Sequence, residues 1–197
     1  PPPSATRTAS LVAWQSRPPT RVLILFDSRG GLSEQLAEAI AEGVSSVFGA
    51  QLIYRRLEEA SVQELREADA LILGSPNWSG VTGKLKDWFD GSDLWESGTL
   101  AGKIGAAFTA GWSPRRRRAT LLQLLHLLLA HGLVVVGLPW SDRMRQSGSY
   151  YGATAHGELT EADRQQARAL GRRVAQVAQR LASGLTFSER LGHLGGG

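Results

Sequence analysis

The chain of 197 residues contains no cysteine, which excludes disulfides, thiolate metal centres and a cysteine nucleophile together. A zinc site would have to be assembled from four histidines and the carboxylates. Long apolar runs are missing too. The longest candidate, "LLQLLHLLLAHGLVVVGL" from Leu121 to Leu138, is broken by Gln123, His126 and the His131–Gly132 pair, well short of the ~20 apolar residues of a membrane span. Residues 1–20, "PPPSATRTASLVAWQSRPPT", have no acidic residue and hold five of the eight prolines. They lack the apolar h-region of a secretory signal, and their prolines oppose an amphipathic transit helix. They read as a disordered leader, residues 184–197 ending in "LGHLGGG" as a flexible tail, and a cytoplasmic protein is expected.

Between these ends, residues 21–183 have the length of one domain with a full core. An apolar run "RVLILFD" leads to a helical stretch Ser33 to Phe48, with Leu36, Ala37, Ile40, Ala41 and Val44 on one face, and then to "AQLIYRRL". The alternation continues through a polar helix near Ser61 to Glu67, the strand "DALILGS", the helix "TGKLKDWFD", the strand "KIGAAFTA", a leucine-rich helix, the strand "GLVVVGL" and a last helix Thr160 to Leu181. Five short apolar strands without polar alternation imply a parallel sheet covered on both faces. Right-handed crossovers then make an α/β three-layer sandwich. Ligands of such folds bind at the carboxyl ends of the strands.

Three strand-end loops therefore carry the candidate chemistry: "DSRGGLS", "GSPNWSG" and "TAGWSPRRRR". In the first, Ser28, Gly30, Gly31 and Ser33 could surround a phosphate with backbone N–H and hydroxyl donors, Ser33 standing at the helix N-cap. There is no G-x-x-x-x-G-K-[ST] and no G-x-G-x-x-G, so a single phosphate monoester is the natural guest. An empty glycine-rich turn is the alternative. Trp78 and Trp112 would lie at the same sheet edge, either stacking a flat aromatic ligand or capping the core.

The formal charge is +4, and Arg115 to Arg118 alone equal that excess. Four cations near a helix N-terminus oppose its dipole. They form a plain solvated face or meet an anionic partner such as a nicotinamide dinucleotide phosphate; a lone run without interleaved aromatics is a weak nucleic-acid signal. His131 before Gly132 reads as a helix C-terminal histidine with glycine at C′. His126, five residues away, points elsewhere, so the two make no metal pair. The leucines from Leu121 to Leu129 surround their helix and ask for a second buried face, met by a partner subunit or by the loop after Pro139 or the tail.

Taken in order, "ILFDSRGGLSEQLAEAIAEG", "DALILGSPNWSGVTGKLKDWFD", "LAGKIGAAFTAG", "LLAHGLVVVG" and "YYGATAHG" resemble the flavodoxin-like NAD(P)H:quinone oxidoreductases of the tryptophan-repressor-binding protein group. The resemblance spans about Arg21 to Leu181. It implies a flavodoxin-like sandwich with a five-stranded parallel sheet in the order 2-1-3-4-5, FMN as cofactor, and two-electron, ping-pong transfer from NAD(P)H as co-substrate to a quinone. It also implies a homo-oligomer, a dimer or tetramer. By position, the FMN phosphate falls on Ser28, Arg29, Gly30, Gly31, Leu32 and Ser33. The ring and ribityl chain fall on Pro76, Asn77, Trp78, Ser79 and Gly80, with Thr109, Ala110, Gly111 and Trp112 closing the other side. His131 matches a histidine that reaches the flavin of a neighbouring subunit, and Tyr151–Gly152 a loop near the site.

Three positions depart from the family pattern. Leu32 and Ser33 stand where a polar residue and threonine are usual, Asn77 where threonine is usual, and "SPRRRR" where the family has a glycine-rich stretch. Each bears on how FMN and its co-substrates sit. No protein acid or base is obligatory for the chemistry, and Asp27 and Asp142 read as a strand-end and a loop residue. A one-electron flavodoxin-type carrier and a flavodoxin-fold interaction module that has lost its cofactor are the rival readings.

Overall fold

Every second residue of the first strand enters a different core. Val22, Ile24 and Phe26 pack into one apolar cluster, Leu23 and Leu25 into another on the opposite face. The computed structural model describes residues 18–28, 31–112, 117–141, 144 and 150–192, the side chains of 117 and 185–192 excepted. Residues 1–17 of the expected leader, Arg29, Gly30, Arg115, Arg116 and Asp142 lie outside that set.

In chain order the elements are β1 (Thr20–Phe26), α1 (Leu32–Ser45), β2 (Ala50–Arg56), a 3-10 turn (Leu57–Glu59), α2 (Val62–Glu67), β3 (Ala70–Pro76), α3 (Gly83–Asp90), α4 (Leu94–Ser97), β4 (Ile104–Gly111), α5 (Arg117–Ala130), β5 (Val134–Val135), β6 (Ala153–His156) and α6 (Glu161–Gly192). All strand pairings are parallel, and the sheet runs β2-β1-β3-β4-β5. This is the order 2-1-3-4-5 that the resemblance implies.

Helices α1 and α6 cover one face, contributing Leu36, Ile40, Leu170 and Val174, each 0% exposed. Helices α2, α3 and α5 cover the other with Leu65, Leu85, Leu121 and Leu124. Full burial of a leucine or isoleucine contributes roughly 1.5–3 kcal/mol relative to exposure, so the two faces together supply most of the driving force. Local signals set the helix ends. Ser61 and Glu64 form a reciprocal capping box at α2, and the Thr82 hydroxyl accepts from the Leu85 N–H at α3. At the end of α5, Gly132 has φ +79°, its N–H reaches Leu129 O at 2.9 Å and the Leu133 N–H reaches Leu128 O at 3.1 Å. That is a Schellman closure with Gly132 at C′, as the sequence predicts.

Three elements differ from the sequence reading. "GLVVVGL" pairs only through Val134 and Val135, because the chain leaves the sheet before Pro139, which has no N–H for a ladder. The vacated upper edge of β4 is taken by a sixth strand, β6, with Phe108, Thr109, Ala110 and Gly111 opposite Ala153, Thr154, Ala155 and His156. Helix α6 runs past the expected Leu181 to Gly192, so residues 184–192, read as part of the tail, continue a helix. No helix among the described residues is long and apolar enough to cross a membrane.

Candidate functional site

The three glycine- and hydroxyl-bearing loops meet at one edge, because β1, β3 and β4 are neighbours and all end there. In the first loop Asp27 is 1% exposed; its N–H donates to Gly74 O at 3.1 Å, and its Oδ2 has no partner among the described residues. Gly31 takes φ +51° and is itself the N-cap of α1, with no side-chain cap. Ser33 therefore lies one residue inside the helix and is buried, a correction to its expected N-cap place. The left-handed turn that only glycine takes easily starts the helix sooner than the hydroxyl pattern implies. Leu32 opens the helix and rests partly against the core. The first-turn N–H groups have no carbonyl of the helix to meet. Glu34, which would repel an anion there, is paired with Arg56 from the end of β2. That pairing holds the Arg56 pKa above its ordinary value, first through the hydrogen bond to Glu34 and then through its charge.

The second loop is locked to the third. Pro76 is buried at the end of β3, and the Asn77 N–H donates to Ala110 O at 2.8 Å. Thr109 is 0% exposed, and its hydroxyl donates to Ser75 O at 2.7 Å. A Cβ on Gly111 would lie 3.0 Å from Asn77 Cβ, so the two backbones are in contact. Trp78 is 67% and Trp112 82% exposed. Neither caps the core; both stand at the edge as open aromatic faces. Ser79 (φ 154°) and Gly80 (φ 140°) give the second loop a backbone path that side chains disfavour.

Residues that the sequence pattern does not single out hold these loops. The Thr120 hydroxyl donates to Asn77 Oδ1 at 3.1 Å, the Val81 N–H donates to Gln123 Oε1 at 2.8 Å, and His156 Nε2 donates to Trp112 O at 2.6 Å. Only the register of α5 and β6 brings them there. Gly152 leads into β6 so tightly that a Cβ would lie 2.0 Å from Ala107 O, and Tyr151 stacks obliquely on Tyr150 at 4.9 Å.

His131 lies apart from these loops, at the far end of α5. Its Nδ1 donates to Leu127 O at 2.9 Å, and its ring sits edge-on between Phe89 at 5.3 Å and Trp95 at 5.5 Å. Its Nε2 is buried with no partner among the described residues. It borders an open cavity of about 740 Å³ that begins at Val81 and Gln123, beside the second loop. His126 borders the same cavity, so the two histidines share a space although their spacing points them apart. Among the described residues no three metal-binding side chains cluster.

A doubly wound sheet in this order, with three loops converging beyond β1, β3 and β4, defines a flavodoxin-like α/β protein. The chain belongs to the NADPH-dependent FMN reductase family, whose model matches residues 20–142. It is 36% identical over 189 residues to an NAD(P)H dehydrogenase (quinone) of Archaeoglobus fulgidus, covering 82% of this chain and 98% of the relative. It is 34% identical over 163 residues to a flavodoxin of Aquifex aeolicus, covering 79% and 85%. Among solved structures it superposes on a flavodoxin, WrbA-like protein from Agrobacterium tumefaciens with a TM-score of 0.66 at 28% identity, covering 82% and 98%.

Proposed function

We propose that the protein is an FMN-dependent oxidoreductase that moves two electrons from NAD(P)H to a quinone or a similarly flat acceptor. When bound, FMN would supply two-electron redox chemistry, the electron pair arriving as a hydride from NAD(P)H and leaving to the acceptor. The observation that carries this reading is the meeting of an uncapped helix N-terminus with two exposed tryptophans on loops joined by direct hydrogen bonds. The family match and the quinone-dehydrogenase relatives support the same conclusion.

The residues fit such a cofactor. Ser28 to Ser33 would hold the phosphate at the positive end of α1, and the Glu34–Arg56 pair keeps a competing carboxylate away. Pro76 to Gly80 and Thr109 to Trp112 would hold the ring and ribityl chain, with Trp78 and Trp112 excluding water. Donor and acceptor would use that one face in turn, which makes the kinetics ping-pong. We assign His131 to the flavin of a neighbouring subunit in a homo-oligomer. The open cavity that it borders and the exposed leucines of α5 support that assignment. The need for a reduced nicotinamide pool suits a cytoplasmic placement.

The visible spectrum of the purified chain, with added FMN and the excess removed, tests the proposal. Bound-flavin bands that bleach anaerobically with NAD(P)H and return with a benzoquinone are expected, with parallel double-reciprocal plots in steady state. A protein that takes up no FMN would favour a flavodoxin-fold interaction module instead.

A further inference from the structure

We infer that Gln123 is a positioning residue: its side-chain amide sets the path of the 77–81 loop and, through that loop, the seat of the flavin ring. The second half of this inference rests on the FMN reading above.

Helix α5 is apolar almost all round, and between Leu121 and Ala130 only Gln123 and His126 carry polar side chains. The Gln123 amide is turned to a specific use. Its Oε1 accepts the Val81 N–H at 2.8 Å, a donor just ahead of the α3 N-cap at Thr82 and outside that helix's own ladder. The fit extends to Gly80, where a Cβ would stand 2.6 Å from Gln123 Oε1 and 3.1 Å from Nε2. A side chain at position 80 would have to push this amide aside. One turn earlier on the same helix, Thr120, itself 0% exposed, donates to Asn77. Positions three apart share a helix face, so one face of α5 ties down both ends of the 77–81 span.

Between the two ties lie Trp78, Ser79 and Gly80. Ser79 holds φ 154°, a conformation that a residue with a side chain keeps only when the surroundings impose it, and Gly80 at φ 140° takes its own at no steric cost. With Val81 released, the cheaper extended or turn conformations become available. The exposed Trp78 indole and the loop N–H groups would then lose their fixed direction. Gln123 also borders the cavity that leads to His126 and His131, so it stands between that cavity and the loop.

The test uses the full chain and two variants. Gln123→Leu keeps the bulk of the side chain and removes the acceptor; Gln123→Glu keeps an acceptor oxygen in the same place. Amide hydrogen exchange at Val81 is read in FMN-free protein, FMN affinity by flavin fluorescence quenching, and folding by thermal melting. Expected are faster exchange at Val81 and about fivefold weaker FMN binding in Gln123→Leu, the size of one ordinary hydrogen bond, with a melting temperature lowered by no more than about 2–4 °C. Gln123→Glu should return both within about twofold.

Unchanged exchange and affinity in Gln123→Leu would overturn the inference. So would a loss of affinity that tracks a larger fall in melting temperature and is not rescued by Gln123→Glu, since that pattern belongs to a packing residue. If the wild-type chain takes up no FMN, the FMN reading and the flavin half of the inference fail together. The Val81 exchange then still decides whether Gln123 holds the loop.

Discussion

Tyr54 shows what a single side chain contributes on the outer strand. Its ring meets Phe26 edge-on at 5.2 Å, while its hydroxyl is buried with no partner among the described residues. Burial first, then the negative charge of Glu34 and Glu38, pushes its pKa from 10.0 to about 12. Below pH 10 the phenol is protonated in folded and unfolded chains alike. Between pH 10 and about 12 the unfolded chain gives up the proton and the folded one keeps it, so stability falls as pH rises through that window. Tyr54→Phe should flatten that part of the alkaline slope. At neutral pH it should be neutral to about 1 kcal/mol stabilising, because an unsatisfied hydroxyl disappears. Urea unfolding of both proteins across the window checks both statements.

Much of the site is legible residue by residue for a physical reason. Gly31, Trp78 and Trp112 are types whose shape or backbone freedom matters wherever they occur. Gln123 and His156 are ordinary polar residues whose meaning comes from partners 42 and 44 positions away.

At the scale of elements, α1 and α6 cross with a glycine on each. A Cβ on Gly43 would lie 2.1 Å from Arg168 O, and one on Gly171 2.1 Å from Ile40 O. Alanine is the better helix former by about 1 kcal/mol, but backbone overlap costs more. Gly43→Ala or Gly171→Ala should therefore destabilise by about 2–3 kcal/mol, measured by chemical denaturation. Helix α5 poses the opposite question. Leu122 is 45% and Leu129 59% exposed, on the outer face that the proposed homo-oligomer would cover. Replacing both with glutamine should leave the unfolding free energy within about 0.5 kcal/mol per site at equal subunit folding and shift sedimentation toward smaller species. Strands β1, β3 and β4 are readable as apolar runs, β2 through its Leu-Ile-Tyr centre, and β5 only in part, since two residues of its apolar run pair. Strand β6 is not, because "ATAH" is too short and small to stand out and owes its place to the edge that β5 leaves open.

For the whole molecule, a ligand that binds only the folded chain adds stability in proportion to the logarithm of its concentration. With FMN at a hundred times its dissociation constant the gain is about 2.7 kcal/mol, roughly 5–10 °C in melting temperature for a domain this size. A melting curve indifferent to FMN would count against the proposed function independently of any colour change. The layered architecture was legible because a two-faced parallel sheet leaves a periodic imprint on the whole chain, whereas the cavity at His131 depends on how α3, α4 and α5 are set against one another.

The divided fifth position of the sheet has a further consequence. The lower part of β4 is held by β5 and the upper part, next to the site, by β6. The chain between them leaves and returns at nearly one point, where the Leu138 N–H donates to Tyr150 O at 2.9 Å. Lengthening a segment whose ends are already pinned together costs only about 0.6 kcal/mol per doubling. That junction is a natural splice point. A new module grafted between Leu138 and Tyr150, clear of the buried Met144, would sit beside the site without cutting a strand of the sheet.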